Sequence, residues 1–138
     1  MTESVEIRHS ENMAFEATVN GHKIMIDTAE EFGGTNQGPR PKSLMMVALA
    51  GCTGMDVVSI LRKMRVEFTD VRVKVEGNIT GEHPKHYDHM HIIYIVKGKN
   101  LPLDKVESAV NMSKEKYCGV SYNYKASMKI THEIVIEE

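Results

Sequence analysis

The feature that most constrains this chain is a helical pattern from Pro41 to about Arg65 whose first half, Leu44–Ala50 (LMMVALA), is apolar on every face. Proline suits a first helical turn, because its missing N–H would have no intrahelical partner there. Arg62, Lys63 and Arg65 stand at the other end, where cations oppose the negative end of the helix dipole. At about 1.5 Å per residue such a helix is roughly 37 Å long. A helix apolar all round needs burial on all sides. A chain of 138 residues has little material to surround that rod alone, so a second copy is the expected cover. The longest unbroken apolar run, Leu44–Cys52 counting Gly51, has nine residues. A membrane span needs roughly 18, so no membrane partner is expected.

The length suits one domain, 1–138, large enough to form a core without staples. Seventeen basic against 19 acidic residues give a formal net charge of −2. No run of like charge exceeds two residues, so no footprint for nucleic acid or an anionic membrane is expected. The N-terminus, MTESVEIRHSEN, is polar and lacks an apolar signal core. The expectation is a soluble, cytoplasmic protein. Two cysteines do not make a disulfide framework. In a reducing compartment they are core thiols, metal ligands or redox groups.

The remaining patterns set an order of elements. Residues 1–30 carry short strand patterns, with Asn20-Gly21 as a two-residue hairpin turn between Met13–Val19 and Lys23–Asp27. The glycine-rich stretch Glu31–Gly38 reads as a loop. After the 41–65 helix, Val71, Val73 and Val75 alternate with charged residues. In Tyr87–Val96, Met90, Ile92, Tyr94 and Val96 share one face, and His89, His91, Ile93 and Ile95 the other. A helix is predicted over Asp104–Tyr117, with a capping box from Asp104 and Glu107 and a stripe of Val106, Ala109, Val110 and Ser113. A long strand over Tyr124–Ile136 closes the chain. Strand runs separated by isolated helices point to an α+β fold.

Cys52 lies in mid-helix, and Met45, Ala48, Leu49, Met55, Asp56 and Ser59 share its face. Burial in such surroundings raises a thiol pKa, and the helix dipole fades within about a turn of either end. A reactive Cys52 therefore needs a cation from elsewhere. Cys118 falls at a helix end before Gly119. As far as these patterns go, both cysteines could equally be buried small apolar residues.

The blocks GPRPKSLMMVALAGCTGMDVVSIL, HPKHYDHMHIIYIVKGKNL and EKYCGVSYNYKASMKITHEI resemble the OsmC/Ohr superfamily of peroxide-reducing or osmotically induced bacterial proteins. The resemblance runs from Asp27 onward. It implies a long central helix packed on a curved antiparallel sheet, in an intertwined homodimer. It implies a thiol peroxidase for organic hydroperoxides. Cys52 would attack the peroxide, and Cys118 would resolve the resulting sulfenic acid as a disulfide. A dithiol or lipoamide-type reductant would restore the thiols, with no cofactor and no metal. Active members of that family favour the thiolate with an arginine from the N-terminal hairpin, held by a glutamate ten residues before the first cysteine. Here that position is Lys42, Ser43 follows it, and the hairpin region offers only Arg8. Lys42 lies about 15 Å from Cys52 along one helix, so it could act only on a partner subunit's Cys52. The alternative reading is a non-catalytic stress or binding protein that has lost the activating Arg/Glu pair.

Other constellations are weaker. His89 and His91 could meet one ion, but a solvated strand edge is the plainer expectation. A zinc site of Cys52, Cys118 and a histidine lacks the close-spaced ligand pair usual for such sites. The methionines read as core filler, with Met45, Leu49 and Met55 expected to line the entrance to Cys52.

Overall fold

The computed structural model describes residues 1–138. The chain divides into two compact units, Met1–Met45 and Met46–Glu138. The first unit holds an antiparallel sheet of β1 (Glu6–His9), β2 (Phe15–Val19) and β3 (His22–Ile26), in that order. Asn20 and Gly21 both take positive φ, 51° and 79°, as a two-residue hairpin turn requires. Register follows from that turn, with Val19 opposite His22 and Phe15 opposite Ile26.

The glycine-rich stretch after β3 is organised by Asp27, which is almost fully buried. Its carboxylate accepts the backbone N–H groups of Thr28 (2.7 Å), Gln37 (3.0 Å) and Thr35 (3.2 Å), and the Thr35 hydroxyl at 3.2 Å. Gly34 and Gly38 pass so close to the backbone carbonyls of Thr28 and Met25 that a Cβ at either would clash. The sequence pattern gave no sign of this role for Asp27. The N–H of Gln37, then that of Thr28, hold its carboxyl below the ordinary 3.8, against the opposing effect of burial. A depressed pKa contributes stability that is complete above the ordinary value and lost as pH falls through the folded one. Asp27→Asn is expected to lower the melting midpoint at neutral pH and to flatten its decline below about pH 4. Parallel melting-versus-pH curves for the two proteins would contradict this.

α1 (Pro41–Lys63) runs across the boundary of the two units. In the second unit, β4 (Asp70–Ile79), β5 (Tyr87–Lys97) and β6 (Lys129–Glu137) form a sheet with β5 in the centre. The alternation read in the sequence decides which face is inside. Met90, Ile92, Tyr94 and Val96 are at most 4% exposed, together with Leu49, Val57 and Leu61 of α1 and Val106, Ala109 and Val110 of α2 (Leu103–Met112).

Four expectations need correction. The second sheet is mixed, because β6 pairs with β5 in parallel while β4 pairs antiparallel. β5 is therefore no edge: His89 and His91 are half-buried and both hydrogen-bond the Thr131 hydroxyl of β6 at 2.7 Å, and His91 also meets Glu133 at 2.9 Å. The Asp104–Glu107 capping box does not form, since Pro102 is the N-cap and supplies no side-chain bond. The predicted 104–117 helix is α2 followed by a π-helical turn, Ser113–Tyr117, and a short α3 (Gly119–Tyr124) precedes the last strand. The strand expected from Tyr124 therefore begins at Lys129, Tyr124 being the last residue of α3.

By length and apolar composition α1 is enough to cross a membrane, which the nine-residue unbroken run understated. Its polar groups point the other way. Thr53 and Asp56 are engaged by side chains of the sheet and of the α2–α3 connection, as in a core helix.

Candidate functional site

The site is assembled from α1 and the junction between α2 and α3. Cys52 lies in the middle of α1 and is half-buried, and Cys118 is buried at the junction. Both are free thiols. Although 66 residues separate them in sequence, their sulfurs and a carboxylate oxygen of Asp56 all lie within 4.8 Å of one another. Asp56 is on the same face of α1 as Cys52, four residues on.

The π-helical turn positions Cys118. Its N–H bonds the carbonyl of Ser113 at 2.8 Å, five residues back. Cys118 then becomes the N-cap of α3: its sulfur accepts the N–H of Ser121 at 3.4 Å, and the Ser121 hydroxyl donates to its carbonyl at 3.0 Å. Burial pushes the Cys118 thiol above its ordinary pKa. The Ser121 bonds oppose that shift, and the neighbouring Cys52 adds to it.

A line of buried hydroxyls ends on Asp56, and sequence reasoning missed it. Tyr94 meets Thr53 at 2.7 Å, Thr53 meets Ser113 at 2.8 Å, and the Ser113 hydroxyl donates to the Asp56 carboxylate at 2.8 Å. Each hydroxyl has one proton, and a carboxylate only accepts. Ser113 spends its proton on Asp56, so Thr53 must donate to Ser113 and Tyr94 to Thr53. Burial pushes the Tyr94 phenol up to about 12, which keeps its proton in place at neutral pH. The one sign of this in the sequence was Ser113, a polar residue within an apolar stripe.

The surroundings differ from the expected entrance. Leu49 is fully buried and Met55 is 76% exposed. Met55 lines an open groove of about 690 Å³ with Ala50, Gly51, Gly54, Val58 and Val73, and Cys52 is not part of it. Asp56 instead forms part of a cavity of about 270 Å³ with Ile60, Lys63, Met64, Met112 and Tyr117. Lys63 shares that wall with Asp56, which takes part in no ion pair.

Fold and site together define an α+β protein that presents one cysteine from a long central helix and a second from a helix junction beside it. The chain belongs to the OsmC-like protein family, whose model matches residues 34–133. This is a family related to peroxide stress. A protein named YhfA from Escherichia coli K12 is 34% identical over 115 residues, which cover 83% of each chain. The crystal structure of a hypothetical protein from Aquifex aeolicus is 32% identical, with a TM-score of 0.84 over 100% of this chain and 99% of the other. The organic hydroperoxide resistance protein OhrB of Bacillus subtilis has a TM-score of 0.65, covering 97% and 98%, at 18% identity. That last likeness is one of fold alone.

Proposed function

We propose that this protein is a thiol-dependent peroxidase that reduces organic hydroperoxides in the cytoplasm as a homodimer. The observation that carries the reading is the approach of the Cys52 and Cys118 sulfurs to within 4.8 Å, close enough for a small side-chain movement to bridge them. The Cys52 thiolate attacks one peroxide oxygen. The O–O bond breaks, the other oxygen leaves with a proton as an alcohol, and Cys52 is oxidised to a sulfenic acid. The Cys118 sulfur then attacks that of Cys52, the S–O bond breaks, and hydroxide leaves as water. A dithiol or lipoamide-type reductant reduces the disulfide by two exchanges and is itself oxidised to a disulfide. Nothing in this sequence of steps needs a metal or cofactor.

Half-burial suits Cys52 for attack on an entering molecule, and full burial suits Cys118 for resolution. Neither cysteine lines the cavity beside Asp56, whose wall combines Ile60, Met64, Met112 and Tyr117 with Asp56, Ser59 and Lys63; seating an apolar peroxide substituent there relies on Asp56 lying one helical turn from Cys52. Pairing of subunits is supported by Val47 and Met55, 63% and 76% exposed on α1, and by the groove lined with Gly51 and Gly54. Native protein is expected to sediment at twice its 15.5 kDa mass; a folded species at that single mass would contradict the pairing.

The test is to add cumene hydroperoxide to the reduced, metal-free protein and count free thiols with time. Both thiols are expected to disappear together and to return with a dithiol. Thiols that persist at millimolar hydroperoxide would favour the non-catalytic stress or binding protein instead.

A further inference from the structure

The donor set at the cysteine pair is that of a soft or borderline metal ion. Cys52, Asp56 and Cys118 offer two sulfurs and a carboxylate oxygen within 4.8 Å of one another. Zinc bonds thiolate sulfur at about 2.3 Å and carboxylate oxygen at about 2.0–2.2 Å. A tetrahedral ion therefore holds such ligands roughly 3.5–3.8 Å apart, about 1 Å closer than the upper bound here. Cys52 and Asp56, one helical turn apart on α1, supply the close-spaced ligand pair that a Cys52–Cys118–histidine site would have lacked.

Two further observations favour a cation. The Asp56 carboxylate is fixed at 2.8 Å by Ser113, itself held by Thr53 and Tyr94. Outer hydrogen bonds of this kind orient ligating carboxylates in metal sites. Asp56 also lacks an ion-pair partner, so three donors able to carry negative charge converge without a paired cation.

We propose that the reduced cysteine pair and Asp56 form a reversible site for one zinc-like divalent cation, with the fourth position open to water or a small thiol. Binding rests on this geometry alone; its effect on oxidation rests on the peroxidase reading. The cation and the disulfide exclude one another, because both use the same two sulfurs. Bound metal ties up the lone pair with which Cys52 attacks peroxide. Oxidation of the loaded site transfers two electrons from the two thiolates to one hydroperoxide. With two protons from solvent this gives the disulfide, an alcohol and water, and it releases the cation unchanged.

The experiment is an anaerobic Co²⁺ titration of the reduced full chain, followed through the thiolate-to-cobalt charge-transfer absorption, with Zn²⁺ as competitor. One Co²⁺ per chain is expected, displaced by one Zn²⁺. Cys52→Ser and Cys118→Ser should each weaken the charge-transfer band and reduce affinity about a hundredfold, and Ser113→Ala about tenfold. Circular dichroism establishes that each variant is folded, and the two cysteine variants suffice if Ser113→Ala is not. The pre-formed disulfide should bind none. Absence of the band in wild type, or wild type and Cys118→Ser titrating alike, would overturn the site. The thiol count on metal-free protein is independent of this titration, so the peroxidase reading and the metal site can fail separately.

Discussion

Cys52→Ser is expected to lower organic hydroperoxide consumption by about a thousandfold or more, to the level of an unrelated protein thiol. Cys118→Ser should behave differently. Its first turnover should survive, because Cys52 still attacks the peroxide. Resolution fails, and the sulfenic acid then advances to sulfinic acid as more peroxide arrives. Activity should therefore decay with each equivalent added, and mass spectrometry should find the added oxygens on Cys52. The asymmetry follows from position. Cys52 is half-buried on α1, whereas Cys118 is buried at the helix junction, its sulfur engaged by the N–H of Ser121. Equal losses in the two variants from the first turnover, or oxidation of Cys118 ahead of Cys52, would refute the assignment.

The second large effect concerns the hydroxyls that end on Asp56. Thr53→Val is nearly isosteric, yet it leaves the buried Tyr94 O–H without an acceptor and removes the proton donated to Ser113. A buried donor without a partner costs about 1–3 kcal/mol. The expected loss is roughly 2 kcal/mol, or roughly 6–8 °C in melting midpoint for a domain of this size. Tyr94→Phe removes the first donor of the line and leaves Thr53 still donating to Ser113. That change should cost about 1 kcal/mol, half as much. The order of the two is the test of direction: a costlier Tyr94→Phe would mean that the protons run the other way. Two crystal structures would add the position of the Asp56 carboxylate, which the line holds in place.

Much of the scaffold was legible because its signals are local. The Asn20-Gly21 turn, the apolar run from Leu44 and the period of two in Tyr87–Val96 each depend on residues next to one another. The Pro41–Arg65 pattern came within two residues of the observed Pro41–Lys63. Non-local choices were not legible. β6 lies parallel to β5 through a connection containing two helices, and its alternating residues would have suited either direction. The strand pattern read from Tyr124 begins only at Lys129, because Tyr124 ends a short helix, Gly119–Tyr124, whose start is capped by Cys118 and Ser121. Both cysteines were visible, and the family resemblance paired them. Thr53, Tyr94 and Ser113 were not visible as a group, because a hydroxyl line joining residues 41 and 60 positions apart has no spacing to detect. Asp27 was hidden for another reason: it ends a strand pattern, where an aspartate is ordinary, and its four bonds are made mostly by backbone.

The central claim is that Cys52 and Cys118 of one chain act as a redox pair. The most direct measurement is the intact mass of the reduced, metal-free protein after one equivalent of organic hydroperoxide, followed by peptide mapping without reduction. The account predicts a loss of two hydrogens per chain and a single linked peptide pair joining Cys52 to Cys118 within that chain. An unchanged mass, oxygen added to Cys52 with Cys118 still free, or a bridge between two chains would contradict it.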